Sequence, residues 1–353
     1  MGRFHELLVE EVRKETANTV SIAFKIPDNL KTEFEFIPGQ YLTFKKEIAG
    51  AEIRRSYSIC SSKSEDLVRV AVKQIADGLF STFANQSLKS GDKLEVMEPD
   101  GSFCPINIGS EIKNYLLVAA GSGITPLLSI AKSILEEGQG SVIVLYGNKN
   151  EESVIFKDQL DQLLNQYAER FKLINVFSEN DAAEHKGRIN KERIVSLGQI
   201  LIDYKQIDSA FICGPEEMIF QVSDQLEEEG VKKSNIHFEL FTTPVITEND
   251  KLAIGPKRQD AEMTVIIDDD EYEFTMTSQF DSILDAAMDA GADVPFACKG
   301  GVCCTCKAKV IEGEVHMKVN YGLEDYEVEN GFVLTCQCVP ISDNVVVNYD
   351  INS

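Results

Sequence analysis

Nine cysteines occur in a chain of 353 residues, and four of them crowd into one short stretch, ACKGGVCCTCKAKV, between Cys298 and Cys306. Cys298, Cys303 and Cys306 read C-x4-C-x2-C, and Cys336 follows in FVLTCQ with 29 residues between it and Cys306. This is the spacing of a four-thiolate [2Fe–2S] cluster. A four-residue gap lets a loop wrap one side of such a cluster, and Gly300 and Gly301 let backbone N–H groups approach its sulfides with no Cβ in the way. The alternative is a zinc site or a set of core thiols. Zinc sites usually present two short C-x2-C pairs, and the second pair is missing here. Cys304 and Cys338 are off the spacing and read as non-ligands. Cys304 is either a small residue that fits beside the cluster or a thiol for repair or redox sensing.

Two other groups of residues suit nucleotide cofactors. RRSYSIC places a cation, an aromatic ring and a hydroxyl, Arg55, Tyr57 and Ser58, within four positions. A bidentate cation and an aromatic plate are what a flavin diphosphate needs, although the outer face of an alternating strand also carries such residues. AVKQIADGLFST adds Val72 and Lys73 on a strand, then Gly78 and a helix opened by Ser81 and Thr82, whose N-terminus favours an anion. In GSGITP, Gly121, Gly123, Thr125 and Pro126 follow the apolar strand YLLVAA directly. The glycines admit a pyrophosphate to the backbone and Pro126 suits the first helical turn. Pro126 stands where the third glycine of G-x-G-x-x-G would be, so that fingerprint is not met. Lys149, Ser178 and Arg188 are candidates for the extra phosphate of NADPH, whereas Glu151 and Glu152 could receive the free ribose of NADH.

These residues need elements to hold them. Up to about residue 107, short alternating segments such as VSIAFKI and LVRVAVKQI predict an antiparallel β-barrel or sandwich. From Asn114 apolar strands (YLLVAA, SVIVLYG, FKLINVF, SAFICG) alternate with helical stretches (TPLLSIAKSILEEG, 155–168, 216–229), which predicts a parallel sheet covered on both faces. Thr242 to Glu262 is polar and interrupted by Pro244 and Pro256, as a linker would be. From Met263, MTVIIDDDEYEFTM predicts two strands around an acidic turn, and DSILDAAMDAG a short helix capped by Asp281 or Ser282. The expected units are 1–107, 108–241, the linker 242–262, and 263–353.

Composition narrows the setting. Length predicts two or three domains. The N-terminal stretch has no apolar signal core, and no run approaches the roughly 20 apolar residues of a membrane span, so a cytoplasmic protein is expected. A formal charge of −24 disfavours nucleic acid and anionic membranes as partners. The four histidines are scattered and no E-x-x-H set occurs, so any oxygen chemistry belongs to a partner. From Met263 to Ser353, 4 Lys/Arg stand against 17 Asp/Glu, a net −13. Such a face would steer toward a basic acceptor, or serve solubility alone.

Taken together, RRSYSIC, AAGSGITP, YGN, FICGP and CKGGVCCTC resemble the ferredoxin-NADP reductase superfamily carrying a C-terminal plant-type ferredoxin domain, over nearly the whole chain. The resemblance implies three units: an antiparallel β-barrel FAD domain, an α/β nucleotide domain with a parallel sheet, and an α+β β-grasp ferredoxin domain. It implies that Arg55 pairs with the FAD pyrophosphate, Tyr57 covers the isoalloxazine and Ser58 approaches its hydride-accepting nitrogen. By the same resemblance Gly78 to Thr82 form a second phosphate turn, and Cys213, Gly214 and Pro215 a second nicotinamide turn with Cys213 near the ring. HFELF leads to the flavin through Phe241, with Glu239 stabilising hydride transfer or relaying a proton. The implied activity is electron flow from NADPH, or NADH, through FAD and [2Fe–2S] to a protein acceptor such as an oxygenase component. A redox-sensing module without turnover is the reading from another class.

Overall fold

The computed structural model describes residues 3–105, 113–241 and 260–351. The expected boundary at 107/108 and nearly all of the expected linker lie outside these residues.

The first sheet begins with β1 (Phe4–Thr16), a long strand that pairs with two neighbours. With β2 (Thr19–Phe24), β3 (Tyr41–Ile48), β4 (Ala51–Ser58), β5 (Val68–Lys73) and β6 (Lys93–Met97) it forms an antiparallel sheet in the order β4-β3-β6-β1-β2-β5. An antiparallel bridge from Ile59 to Val70 joins the two edge strands, so the sheet closes as a barrel and leaves no long open edge. Its interior is apolar, with Leu7, Ile22, Phe24, Leu42, Phe44 and Val70 fully buried. Helix α1 (Leu79–Gln86) packs on it through Phe80. This helix opens at Leu79, so Ser81 and Thr82 sit in its first turn and do not open it. Gly78 is the residue just before the helix, where a Cβ would meet the Ser81 hydroxyl.

The second sheet is wholly parallel, ordered β11-β10-β7-β8-β9. Its strands are β7 (Asn114–Ala120), β8 (Ser141–Asn148), β9 (Phe171–Phe177), β10 (Ser209–Cys213) and β11 (Ile236–Glu239). Helices α2 (Ile124–Glu137) and α3 (Lys157–Gln166) share one core with the sheet, and α4 (Lys191–Ile200) and α5 (Glu216–Glu228) share another. That two-sided cover explains the unbroken apolar strands. Each fully buried Leu or Ile of α2 adds about 1.5–3 kcal/mol over an exposed one. Helix α4 went unread in the sequence because KERIVSLGQI is short and carries Gly198, which sits where a Cβ would press on the Tyr204 ring.

The third sheet is mixed. β12 (Ala261–Ile267) and β13 (Asp270–Met276) form the expected hairpin, with β12 starting at Ala261, before Met263. Its turn residues Asp268 and Asp269 both have positive φ, a conformation in which Asp is tolerated. β14 (Lys307–Glu312), β16 (Phe332–Leu334) and β18 (Asn344–Asn348) complete the order β13-β12-β18-β14-β16, and β15 (Val315–Met317) pairs with β17 (Cys338–Pro340). Helix α6 (Ile283–Asp289), capped by Ser282, buries Ile283, Leu284 and Ala287 in this sheet's core, the grasp arrangement anticipated. A short α7 (Asp325–Glu329) follows.

Candidate electron-transfer site

The loop between α6 and β14 carries three of the four spaced cysteines and the turn just after β16 the fourth. Cys298 and Cys303 bring their sulfurs to 3.1 Å, and Cys306 and Cys336 are close enough for each thiol to shift the other. The thiols therefore stand as two pairs. Among the described residues no three Cys, His, Asp or Glu side chains gather about one point as a single ion requires. Two pairs of thiols suit two irons. Contact with Cys303 holds the Cys298 thiol low, assisted by the backbone N–H groups of Gly300, Val302 and Cys303. The Gly300 N–H reaches the Cys298 sulfur at 3.2 Å, and the Gly301 N–H serves Cys336. Gly301 has φ +75, and a Cβ there would lie 3.0 Å from the Val319 carbonyl oxygen. The loop thus aims N–H donors at the sulfurs, as an anionic cluster requires. The two off-pattern thiols are core residues. Cys304 donates to the Gly322 carbonyl at 2.7 Å, and Cys338 is fully buried in β17.

The other candidates meet where the barrel abuts the C-terminal edge of the parallel sheet. Ser58, the last residue of β4, donates to the Glu239 carboxylate across 3.4 Å. Glu239 ends β11 in register with Cys213, and Cys213 lies beside Ala119 of β7. Burial pushes the Glu239 carboxyl up to about 8, with the Ser58 bond pulling the other way. Burial also pushes the Cys213 thiol far up, with Glu239 adding to the shift. Gly123 is where two loops touch: a Cβ there would fall 2.0 Å from the Cys213 carbonyl oxygen. At Gly121, φ is +55 and the missing Cβ would lie 3.3 Å from Lys73 Nζ. The barrel lysine therefore reaches the glycine turn. Burial lowers its pKa, and Lys149 lowers it further. Thr125 donates to the Ser122 carbonyl at 3.0 Å and Pro126 lies buried in the first turn of α2. Gly214 fits against Met218 and Ala120, and Pro215 precedes α5.

The remaining candidates surround this notch. Arg55 is exposed and donates to the Arg54 carbonyl at 2.7 Å. Tyr57 is half-buried and stacked on Phe80 of α1 with ring centroids 5.5 Å apart. The RRSYSIC strand and the Gly78–Thr82 turn are thereby brought side by side, with buried Val72 in the same barrel core. Within that turn Ser81 uses its hydroxyl locally, donating to the Gly78 carbonyl and accepting from the Ile75 N–H. Lys149 and Ser178 follow β8 and β9, adjacent strands, and Lys149 pairs with Glu179 at 3.2 Å. Arg188 is exposed on the next loop, and Phe241 is 41% exposed just beyond β11.

Sequence reasoning missed the residues that join the barrel to the cluster loop. Tyr41, 5% exposed, reaches Cys304 and Thr305, some 264 positions away in the chain. Arg54 lies over the Phe296 ring at 4.2 Å and near Asp293 at 3.7 Å. Nothing in PGQYLTF distinguishes Tyr41 from an ordinary strand aromatic, because the contact is between units.

The comparisons with known proteins follow this division. Residues 6–104 match the oxidoreductase FAD-binding domain, 117–224 the oxidoreductase NAD-binding domain, and 265–340 the 2Fe-2S iron-sulfur cluster binding domain. Fold and domains together define an oxidoreductase built on FAD and a [2Fe–2S] cluster, which retires the non-enzymatic sensor. The chain is 40% identical to one of the subunits of the 1,2-phenylacetyl-CoA epoxidase of Escherichia coli K12, over 99% of both chains. It is 33% identical to the ferredoxin reductase component of 3-ketosteroid-9-alpha-monooxygenase from Mycolicibacterium smegmatis, over 98% and 97% of the two. Among solved structures, phthalate dioxygenase reductase superposes over 98% of each chain with a TM-score of 0.57 at 23% identity. A type IV self-sufficient cytochrome P450 monooxygenase covers 98% of this chain and 41% of its own, with a TM-score of 0.70 at 20% identity. The chain belongs to the family of FAD- and [2Fe–2S]-containing reductase components of oxygenase systems. Among the described residues, no helix is long and apolar enough to cross a membrane.

Proposed function

We propose that this protein draws electrons from NADPH and delivers them to the oxygenase component of a phenylacetyl-CoA epoxidase. When bound, FAD accepts a hydride from the nicotinamide and splits the electron pair for the one-electron cluster, which serves the acceptor. The observation that carries the reading is one notch. Ser58 and Lys73 of the barrel meet Glu239, Cys213 and the Gly121–Gly123 turn of the parallel sheet there, at the strand ends where α/β sheets bind nucleotides.

In this reading Arg55 holds the flavin pyrophosphate, Tyr57 covers one ring face and Ser58 bonds at the hydride-accepting edge. Val72, Lys73 and the Gly78–Thr82 turn line the remainder, with Phe241 closing over the flavin. Gly121, Gly123, Thr125 and Pro126 cradle the coenzyme pyrophosphate, and Cys213, Gly214 and Pro215 shape the nicotinamide slot. Glu239, protonated at neutral pH, holds the Ser58 hydroxyl and keeps net negative charge away from the arriving hydride. Lys149, Ser178 and Arg188 select the coenzyme phosphate. Cys298 with Cys303 holds one iron, and Cys306 with Cys336 the other.

The choice of acceptor is supported by the 40% identity to the epoxidase component over full length. Mixing the holoprotein with the purified oxygenase component of that system tests it. Phenylacetyl-CoA-dependent NADPH oxidation, matched by epoxide, is expected. NADPH oxidation that ignores phenylacetyl-CoA would move the acceptor to another oxygenase.

A further inference from the structure

Among the described residues, Tyr41 is the one that bonds to the backbone of the cluster loop from the barrel. Its strand position matters first. Tyr41 opens β3 directly across the ladder from Ser58, which closes β4 and bonds Glu239 in the nucleotide notch. Its ring then crosses to the third unit. The Cys304 N–H donates to the Tyr41 hydroxyl at 3.2 Å, and the same hydroxyl is 3.1 Å from Thr305 Oγ1. Thr305 completes the contact from the cluster side: with the Tyr41 proton given to Asp100, its hydroxyl donates to the Tyr41 oxygen. Asp100 fixes the phenol from the barrel side at 3.2 Å. Gly101, φ +122, leaves the ring room: a Cβ there would come within 3.0 Å of it. Around the phenol, Tyr41, Ala297 and Cys303 pack as one apolar cluster that spans both units, so water is excluded from the contact.

We propose that Tyr41 is a positioning residue for electron transfer, latching the cluster loop to the barrel and providing, through the Cys304 N–H and the peptide bond that joins it to Cys303, the bonded route from the Ser58 ladder position to the Cys303 ligand. The step itself moves one electron from reduced flavin to one ferric iron, which becomes ferrous, and breaks no covalent bond. The hydroxyl acts in two ways. It fixes the distance between units, and it replaces a through-space gap by hydrogen bonds inside a dry contact. Arg54 guards the rim of the same interface, between Asp293 and the Phe296 ring. The inference rests on the flavin and cluster assignments proposed above and is independent of the acceptor.

The test is rapid-mixing absorbance on the holoprotein, comparing wild type with Tyr41→Phe and following flavin bleaching and cluster bleaching separately after anaerobic mixing with NADPH. Flavin reduction is expected within twofold of wild type, and cluster reduction at least tenfold slower. Hydrogen exchange of the 300–306 backbone supplies a readout that does not depend on turnover, and it should quicken as the Cys304 N–H loses its acceptor. Thr305→Val and Thr305→Ser form a second pair entering from the cluster side. The valine should slow cluster reduction like Tyr41→Phe, and the serine should restore it, which a merely space-filling role would not do. Cluster reduction at the wild-type rate in Tyr41→Phe, with unchanged exchange, overturns the proposal. Wild-type flavin that no nicotinamide coenzyme bleaches is a different failure, and it overturns the functional reading.

Discussion

Ser58 and Glu239 lie 181 positions apart and share one hydrogen bond, and what that pair does is decided by a single proton. With its pKa raised to about 8, Glu239 is neutral through most of the physiological range. An ionised carboxylate at that edge would oppose an incoming hydride. The rate of flavin reduction by NADPH is therefore expected to fall as pH rises through about 8, and to be flat in Glu239→Gln, measured by rapid mixing between about pH 6 and 9. The same proton has a stability consequence. The folded carboxyl stays protonated where the unfolded one, near its usual 4.5, has released its proton. Its contribution is thus complete below that value and lost as pH climbs toward 8. Denaturant midpoints of the wild type should drop relative to Glu239→Gln across that window. Among the cysteines, Cys298→Ser should lose iron and the cluster absorption while keeping flavin. Cys304→Ala should keep the cluster and lose about 1 kcal/mol for its thiol bond and packing. That the four spaced cysteines come together was legible from spacing, because metal coordination fixes local geometry. The burial of Cys304 against Gly322 was not, because it depends on a neighbouring loop.

At the level of elements, the two glycine-bearing turns act as one device. Gly123 tolerates no side chain because the Cys213 carbonyl occupies its place. Gly123→Ala must push the turns after β7 and β10 apart, and the proposed coenzyme cradle with them. The apparent KM for NADPH should rise roughly tenfold, about 1.4 kcal/mol, with flavin and cluster content unchanged; steady-state kinetics on the reconstituted protein decide it. The strands of the parallel sheet could be read because burial on both faces demands unbroken apolar runs, and α2 because its stripe ends at Gly138. Helix α1 was placed two residues late, since Ser81 and Thr82 look like caps. Their hydroxyls in fact bond the segment leading into the helix: Ser81 the Gly78 carbonyl and the Ile75 N–H, Thr82 the Gln74 side chain. Helix α4 was missed because its burial comes from α5 and Tyr204, which no local pattern reveals.

For the whole molecule, charge and docking act on different steps. More than half of the −24 formal charge falls after residue 262, so association with an oxygenase component should weaken as salt screens it. Raising ionic strength from about 0.05 to 0.5 M is expected to slow acceptor reduction about tenfold or more. Internal flavin-to-cluster transfer, across the buried Tyr41 contact, should stay constant. If both steps slowed alike, the acidic face would not be the docking surface. The central claim, that nicotinamide, flavin and cluster form one electron path in this chain, is tested most directly by one spectrum. The purified protein is followed anaerobically by visible absorbance as NADPH, then NADH, is added. Flavin and iron–sulfur bands that both bleach with NADPH are the predicted result. A flavin that bleaches while the cluster stays oxidised, or a colourless protein holding zinc at Cys298, Cys303, Cys306 and Cys336, would contradict it.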